Sequence, residues 1–261
     1  MASPTRGGGR KKKGDMAIWR VFSIITLNVW FYFWFPVVLG VSVVLGTAEL
    51  LVLRIFHPAA VRRVLRFKVN RYGRAVTRTA WPWIRVEVLN APRVSEAPFA
   101  IVENHSSSFD PFVQGVLPYE LVQAARGWAL KLPVLGIVGR LAGYLDVDSL
   151  SGDELVERAA ELLNSGVSVV FFPEGTRRPE GDLGPFHGAA FRAAAKAEVP
   201  IVPAVVTGIA DKPRKGSLMM RPGKITIRFL PVIPPDEHMS ENVATLKKTV
   251  RKAMLEALSE K

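Results

Sequence analysis

From Val21 to Ala48 the chain carries no charged side chain. As a helix rising roughly 1.5 Å per residue, this stretch alone is about 40 Å long. The hydrocarbon core of a bilayer is roughly 30 Å thick. One straight span overshoots unless it tilts, and two full spans do not fit. Pro36 and Gly40 fall near the middle, where a helix kinks or turns. Basic residues stand on both sides: Arg10, Lys11, Lys12 and Lys13 before, then Arg62, Arg63, Arg66, Lys68, Arg71, Arg74 and Arg78 after. Basic flanks favour the cytoplasmic side. Both flanks on one side imply an even number of crossings, or a hairpin that dips in and returns. The expectation is a membrane-associated helical hairpin and basic helix at residues 17–80, preceded by a disordered basic tail at residues 1–16. The aromatic run from Trp30 to Phe35 suits an interfacial depth. A cleaved signal peptide fits poorly, because the apolar region is too long and no A-x-A site closes it.

The remaining composition narrows the partners. The chain has 261 residues, 49% of them hydrophobic, with a formal charge of +12. That length is ample for a real core, and the apolar content is not that of a disordered chain. Zero cysteines exclude disulfides, thiolate metal sites and cysteine nucleophiles. The positive charge points to an anionic partner. Beside an apolar hairpin, the basic stretch from Arg62 to Arg78 fits lipid headgroups, at about 1 kcal/mol per basic residue near the surface. No nucleic-acid motif and no interleaved aromatics accompany it.

From about residue 81 the texture changes to short strands alternating with helices. Ile84–Leu89, Phe99–Val102, Val167–Phe172, Ile201–Thr207 and Lys224–Leu230 read as strands. Ser151 and Glu154 make a capping box before a helix over Glu154–Leu163. Gly188–Ala197 reads as a helix, and a last one is expected over Glu241–Leu258 with Ser240 as N-cap. Apolar strands alternating with helices predict an α/β domain at residues 81–261 with a largely buried sheet.

Three segments carry chemistry. Asn104-His105-Ser106-Ser107-Ser108-Phe109-Asp110-Pro111 follows a strand. On an ideal helix His105 and Asp110 point about 140° apart, so a shared site requires a turn between them. Asp110 before Pro111 marks a helix start, and alone the pair reads equally as a capping aspartate and a loop histidine. A fixed carboxylate can also accept an imidazole N–H, set its tautomer and support the imidazolium. Phe171-Phe172-Pro173-Glu174-Gly175-Thr176-Arg177-Arg178 also follows a strand. Gly175 permits an unusual turn, and the arginines offer forked donors for phosphate or carboxylate. Pro200-Ile201-Val202-Pro203 opens the next strand.

This ordered set resembles the bacterial 1-acylglycerol-3-phosphate acyltransferase (PlsC-like) family of glycerolipid acyltransferases. It covers roughly residues 99–207 and includes Asn-His-x4-Asp, Phe-Pro-Glu-Gly-Thr-Arg and Val-Pro-Ile-Val-Pro in order. Phe186-His187-Gly188-Ala189 and Lys131 in Lys131-Leu132-Pro133 are similar to the family's pattern as well. The resemblance implies a mixed, largely buried β-sheet flanked by helices, of glycerol-3-phosphate acyltransferase type. It implies His105 and Asp110 as catalytic residues, and Glu174, Gly175, Thr176, Arg177, Arg178 and Lys131 as substrate-binding residues. It further implies acyl transfer from an acyl carrier protein or coenzyme A thioester to the free hydroxyl of a lysolipid, most simply 1-acylglycerol-3-phosphate, at the cytoplasmic face of the cell membrane. Neither a metal nor a bound cofactor is expected. One motif departs: in Gly143-Tyr144-Leu145-Asp146-Val147-Asp148-Ser149, Ser149 stands where the family carries an arginine thought to help hold the acceptor's phosphate.

That serine keeps a second acceptor in play, another lysophospholipid or a lyso-ornithine lipid. A hydrolase using Ser106, Ser107 or Ser108 lacks the G-x-S-x-G elbow. A metal hydrolase has only His57, His105, His187 and His238 to draw on and no H-E-x-x-H. A catalytically silent membrane adaptor on the same fold is the remaining reading.

Overall fold

The computed structural model describes residues 8–260. It opens with one continuous helix, α1 (Gly8–Phe56), followed by a 3₁₀ turn at Pro58–Ala60 and α2 (Val61–Thr79). The alternating body comprises β1 (Ile84–Leu89), β2 (Ala100–Glu103), α3 (Asp110–Val113), β3 (Leu121–Ala125), α4 (Gly127–Leu130), α5 (Leu135–Ala142), β4 (Leu145–Asp146) and α6 (Gly152–Asn164). It continues with β5 (Ser168–Phe171), α7 (Ala189–Ala197), β6 (Ile201–Thr207), β7 (Gly223–Phe229), α8 (Pro235–Met239) and α9 (Val243–Ser259).

The seven strands form one mixed sheet in the order β1-β7-β6-β2-β5-β3-β4. Among the described strands, only β6 and β7 pair antiparallel. β2 lies at the centre, with Ala100 opposite Val169 of β5 and Ile201 of β6. All four of its residues are buried, which explains a strand without polar alternation. Side chains still alternate between faces. Ala100 and Val102 join the core formed with α6, α7 and α9. Ile101 joins the opposite core, built from α1, α2 and the loops around α3.

Local signals account for much of the periphery. The Ser151 hydroxyl accepts the Glu154 amide at 3.2 Å, and the Glu154 carboxylate accepts the Ser151 amide at 2.8 Å. Val156, Ala159, Ala160 and Leu163 bury one stripe of α6. The last helix begins two residues later than expected. Its N-cap is Asn242, whose side chain accepts the Ala244 amide at 2.7 Å, while the Ser240 hydroxyl bonds backward to the Glu237 carbonyl.

The amino-terminal region differs from the expected hairpin. α1 runs unbroken through Pro36 and Gly40, and the chain reverses only at His57–Ala60. Its apolar part, Ile18–Phe56, is long and apolar enough to cross a membrane, with a mean hydropathy of 2.1 over an 18-residue window. The reason for the straight course lies in the packing. Leu27 and Phe31 are buried in the sheet core, with Phe35, Val38 and Leu39 packed beside them. These positions recur at helical spacing and form one stripe, so a turn at Pro36 would break it. Asn28 adds a tie, donating to the Met220 carbonyl at 2.8 Å and accepting its amide at 2.9 Å. The opposite face exposes Val29, Trp30, Phe33, Val41, Val44 and Leu45. Of the expected disordered tail, residues 1–7 lie outside the described residues, and residues 8–16 form the first turns of α1. Arg and Lys are good helix formers and extend a helix already nucleated.

α2 divides its basic residues between two tasks. Arg62, Arg63, Arg71 and Arg78 are exposed. Arg66 is buried, donating to the Ala142 carbonyl and to Glu120, each at 2.9 Å. Arg74 donates to the Gly115 and Val116 carbonyls. Part of the expected headgroup-binding run is therefore internal pinning of α2 to the body.

Candidate active site

β2 delivers the site. Beyond Glu103 the main chain leaves the sheet, and the Asn104 side chain takes over the pairing with β6. Its amide donates to the Val206 carbonyl at 3.0 Å, and its carbonyl accepts the Val206 amide at 2.7 Å. A primary amide reproduces the donor and acceptor of a peptide unit, so the ladder closes while the backbone is released into a loop. His105 follows directly in that loop.

The loop turns back so that His105 Nδ1 meets Asp110 Oδ2 at 2.6 Å. Asp110 begins α3, yet its carboxylate does not cap that helix. Oδ2 also accepts the Ser106 amide at 3.0 Å and the Ser107 amide at 2.9 Å. Three donors on one oxygen fix the carboxylate within the histidine loop. Asp110 is fully buried, and the imidazole is partly exposed. The ring lies against Phe172, with centroids 4.6 Å apart and planes tilted by 35°. With Nδ1 committed to the carboxylate, Nε2 is the nitrogen left for exchange with a substrate. The Ser107 hydroxyl bonds to the Lys212 and Pro213 carbonyls. Among the described residues no serine hydroxyl bonds to His105, which disfavours a serine-hydrolase arrangement.

The segment after β5 packs against the same loop. Glu174 Oε1 accepts the His105 amide at 3.1 Å, and Oε2 accepts the Gly184 amide at 2.9 Å. Burial pushes the Glu174 carboxyl above its usual range, opposed by these two amides. Glu174 thus braces backbone, with each oxygen already engaged. The Arg178 amide donates to the His105 carbonyl at 2.8 Å. Gly175 has φ +65°, and a Cβ there would sit 3.4 Å from His187 Nε2. Thr176 is exposed, and Arg177 is half-buried.

Arg177 lines a cavity of about 880 Å³, within the roughly 300–1,000 Å³ usual for ligand sites. Ser108, Pro111 and Phe112 line it near the dyad. Leu39, Val43 and Leu50 of α1 and Val69 and Tyr72 of α2 line it farther off. Its walls are mostly apolar, with Arg177 and Lys68 as its cations. His105 is not itself part of the lining.

Two expected positions stand apart. Lys131 is exposed at the end of α4 and does not line the cavity. Ser149 is exposed in a turn, its hydroxyl 3.4 Å from the Asp146 carbonyl. The apolar cavity was not legible in the sequence, because its walls come from six separate stretches of chain. Glu103 and Gln114, buried behind Asp110, were missed too. Their only signal was a glutamate ending an otherwise apolar strand. Among the described residues no group of three or more His, Cys, Asp or Glu converges as a metal site.

Residues 85–207 match the acyltransferase family model. The 1-acyl-sn-glycerol-3-phosphate acyltransferase alpha of Ovis aries is 36% identical over 183 residues, covering 68% of this chain and 64% of that protein. The enzyme of the same name from Homo sapiens is 36% identical, covering 68% of this chain and 65% of its own length. The chain therefore spans just under two thirds of these relatives. The crystal structure of the 1-acyl-sn-glycerophosphate (LPA) acyltransferase PlsC from Thermotoga maritima has the same fold. It superposes with a TM-score of 0.73 at 23% identity, covering 92% of this chain and 97% of that one.

Proposed function

We propose that this protein, whose residues 85–207 match the acyltransferase family model, transfers a fatty acyl group from a thioester to the free hydroxyl of 1-acylglycerol-3-phosphate, giving phosphatidic acid. The observation that carries the reading is the 2.6 Å contact between His105 and Asp110, set beside an apolar cavity that holds Arg177. His105 Nε2 takes the hydroxyl proton as the acceptor oxygen attacks the thioester carbonyl. The C–O bond forms, the C–S bond breaks, and the imidazolium returns its proton to the departing thiolate. Proton transfer of this kind contributes about 10²–10⁴-fold. Asp110 holds the ring in its tautomer and stabilises the imidazolium. Arg177 meets the acceptor's phosphate, and the apolar walls take acyl chain. Gly175 and Thr176 shape the turn that presents the arginine.

The donor is an acyl carrier protein or coenzyme A thioester, both anionic and suited to a chain of net charge +12. The lipid substrates reach the site from a membrane. The exposed apolar face of α1 enters one leaflet, and Arg62, Arg63, Arg71 and Arg78 meet headgroups; the preference of basic flanks for the cytoplasmic side supports a body on that side. The exposed turn of Ser149 supports a second reading, in which the acceptor is a different lysophospholipid or a lyso-ornithine lipid.

The test is an acceptor panel. The full chain, reconstituted in lipid nanodiscs, is given each lysolipid with each donor type. The expected result is phosphatidic acid as the dominant product. Turnover confined to a lysolipid without a phosphomonoester supports the second reading, and no acyl transfer to any acceptor overturns both.

A further inference from the structure

The mechanism uses Asp110 and leaves unexplained a second carboxyl group behind it. Glu103 is the last residue of β2 and is completely buried. Alternation along the strand sets it on the Ile101 side, toward α3. Its Oε2 accepts the Gln114 side-chain amide. Its other neighbours offer no compensating charge. The strand partner facing it in β6 is Ala204, and β5 contributes Val170 and Phe171. The charged group acting on it is Asp110, itself an anion.

The hydrogen-bond inventory of this cluster does not close as drawn. Glu103 Oε1, Gln114 Oε1 and Asp110 Oδ1 are all buried acceptors without a donor. Asp110 Oδ2, by contrast, already holds three donors. Three unpaired acceptors packed among apolar side chains are costly, and two ionised carboxyls there are costlier still. A single proton on Glu103 relieves both problems. It removes one charge and supplies an O–H donor where donors are missing.

We propose that Glu103 is a positioning residue that retains its proton and, with Gln114, holds Asp110 as the single anion of the buried cluster. Burial and the charge of Asp110 both push the Glu103 carboxyl well above its usual range, against the opposing amide of Gln114. The carboxyl group touches no substrate. It acts through Asp110, keeping its Oδ2 aligned on the imidazole. The inference rests on the reading of His105 and Asp110 as the proton-transfer pair, but its first readout is independent of turnover.

Infrared spectra of the full chain in nanodiscs at neutral pH should show a protonated carboxylic-acid band that is missing from Glu103→Gln. In acyl-transfer assays, Glu103→Ala should lose about tenfold or more in kcat with KM for the acceptor little changed, and Glu103→Gln, neutral and of the same shape, should rescue most of that loss. His105→Ala should be inactive with the band intact. The proposal is overturned by identical spectra for wild type and Glu103→Gln, by a Glu103→Gln variant as slow as Glu103→Ala, or by full turnover in Glu103→Ala. Full turnover in His105→Ala removes the acyl-transfer mechanism instead, and the infrared comparison still decides whether Glu103 holds the proton.

Discussion

Glu174 grips the backbone of His105: its Oε1 accepts the His105 amide at 3.1 Å while Oε2 holds the amide of Gly184. The glutamate of the Pro-Glu-Gly-Thr-Arg segment therefore ties the histidine loop to the loop that carries the arginines. Glu174→Ala leaves two amides without their acceptor, a loss of about 1–3 kcal/mol for a buried unpaired group. The expected outcome is a lower thermal midpoint and reduced kcat. A variant with a wild-type midpoint and an altered KM alone would show that Glu174 contacts substrate.

Asn104 makes a comparable tie to β6. Asn104→Leu keeps the volume but loses both bonds to Val206. The release of a buried N–H and a buried C=O costs about 1–3 kcal/mol each when unpaired. Thermal unfolding should show a clear drop. Asn104→Asp keeps one acceptor and should fall between the two.

The state of Glu103 makes stability depend on pH in a defined direction. The folded chain keeps the proton, whereas the unfolded chain releases it above roughly pH 4.3. Stability contributed by this group is therefore present below that pH and declines as pH rises, at up to about 1.4 kcal/mol per pH unit. Glu103→Gln removes the titration. Its thermal midpoint should exceed that of wild type at pH 8, and the gap should narrow toward pH 4. A gap that is constant across this range contradicts a raised Glu103.

The outward face of α1 is predicted to bind lipid. Val29, Phe33 and Val44 are between 62% and 68% exposed. A membrane that buries such side chains gains roughly 1.5–3 kcal/mol from each. The double substitution Phe33→Ser and Val44→Ser should weaken flotation with anionic vesicles while leaving the near-ultraviolet dichroism of the body unchanged. Equal flotation of wild type and variant contradicts the assignment of this face.

Much of the α/β body was legible because its signals are local. Apolar runs named β2, β5 and β6, and the Ser151–Glu154 pair marked the start of α6. The site was legible as residue types in order, since His105 and Arg177 lie on loops that follow predicted strands and Asp110 opens the short helix after the first of them. What escaped depended on distant partners. The straight course of α1 is set by Leu27 and Phe31 packing on the sheet, which no window of the helix itself records. Arg66 and Arg74 looked like surface charge because their carbonyl acceptors are more than forty residues away. β3, α4 and α5 are short and lack strong caps, and the walls they give the cavity become visible only once the chain is folded.

The most direct test of the central claim is a product assay on the full chain in nanodiscs, with 1-acylglycerol-3-phosphate and an acyl thioester, comparing wild type with His105→Ala. The account predicts phosphatidic acid from the wild type, and a loss of about 10²–10⁴-fold or more in the variant with vesicle binding retained. Equal rates of phosphatidic acid formation in the two proteins contradict it.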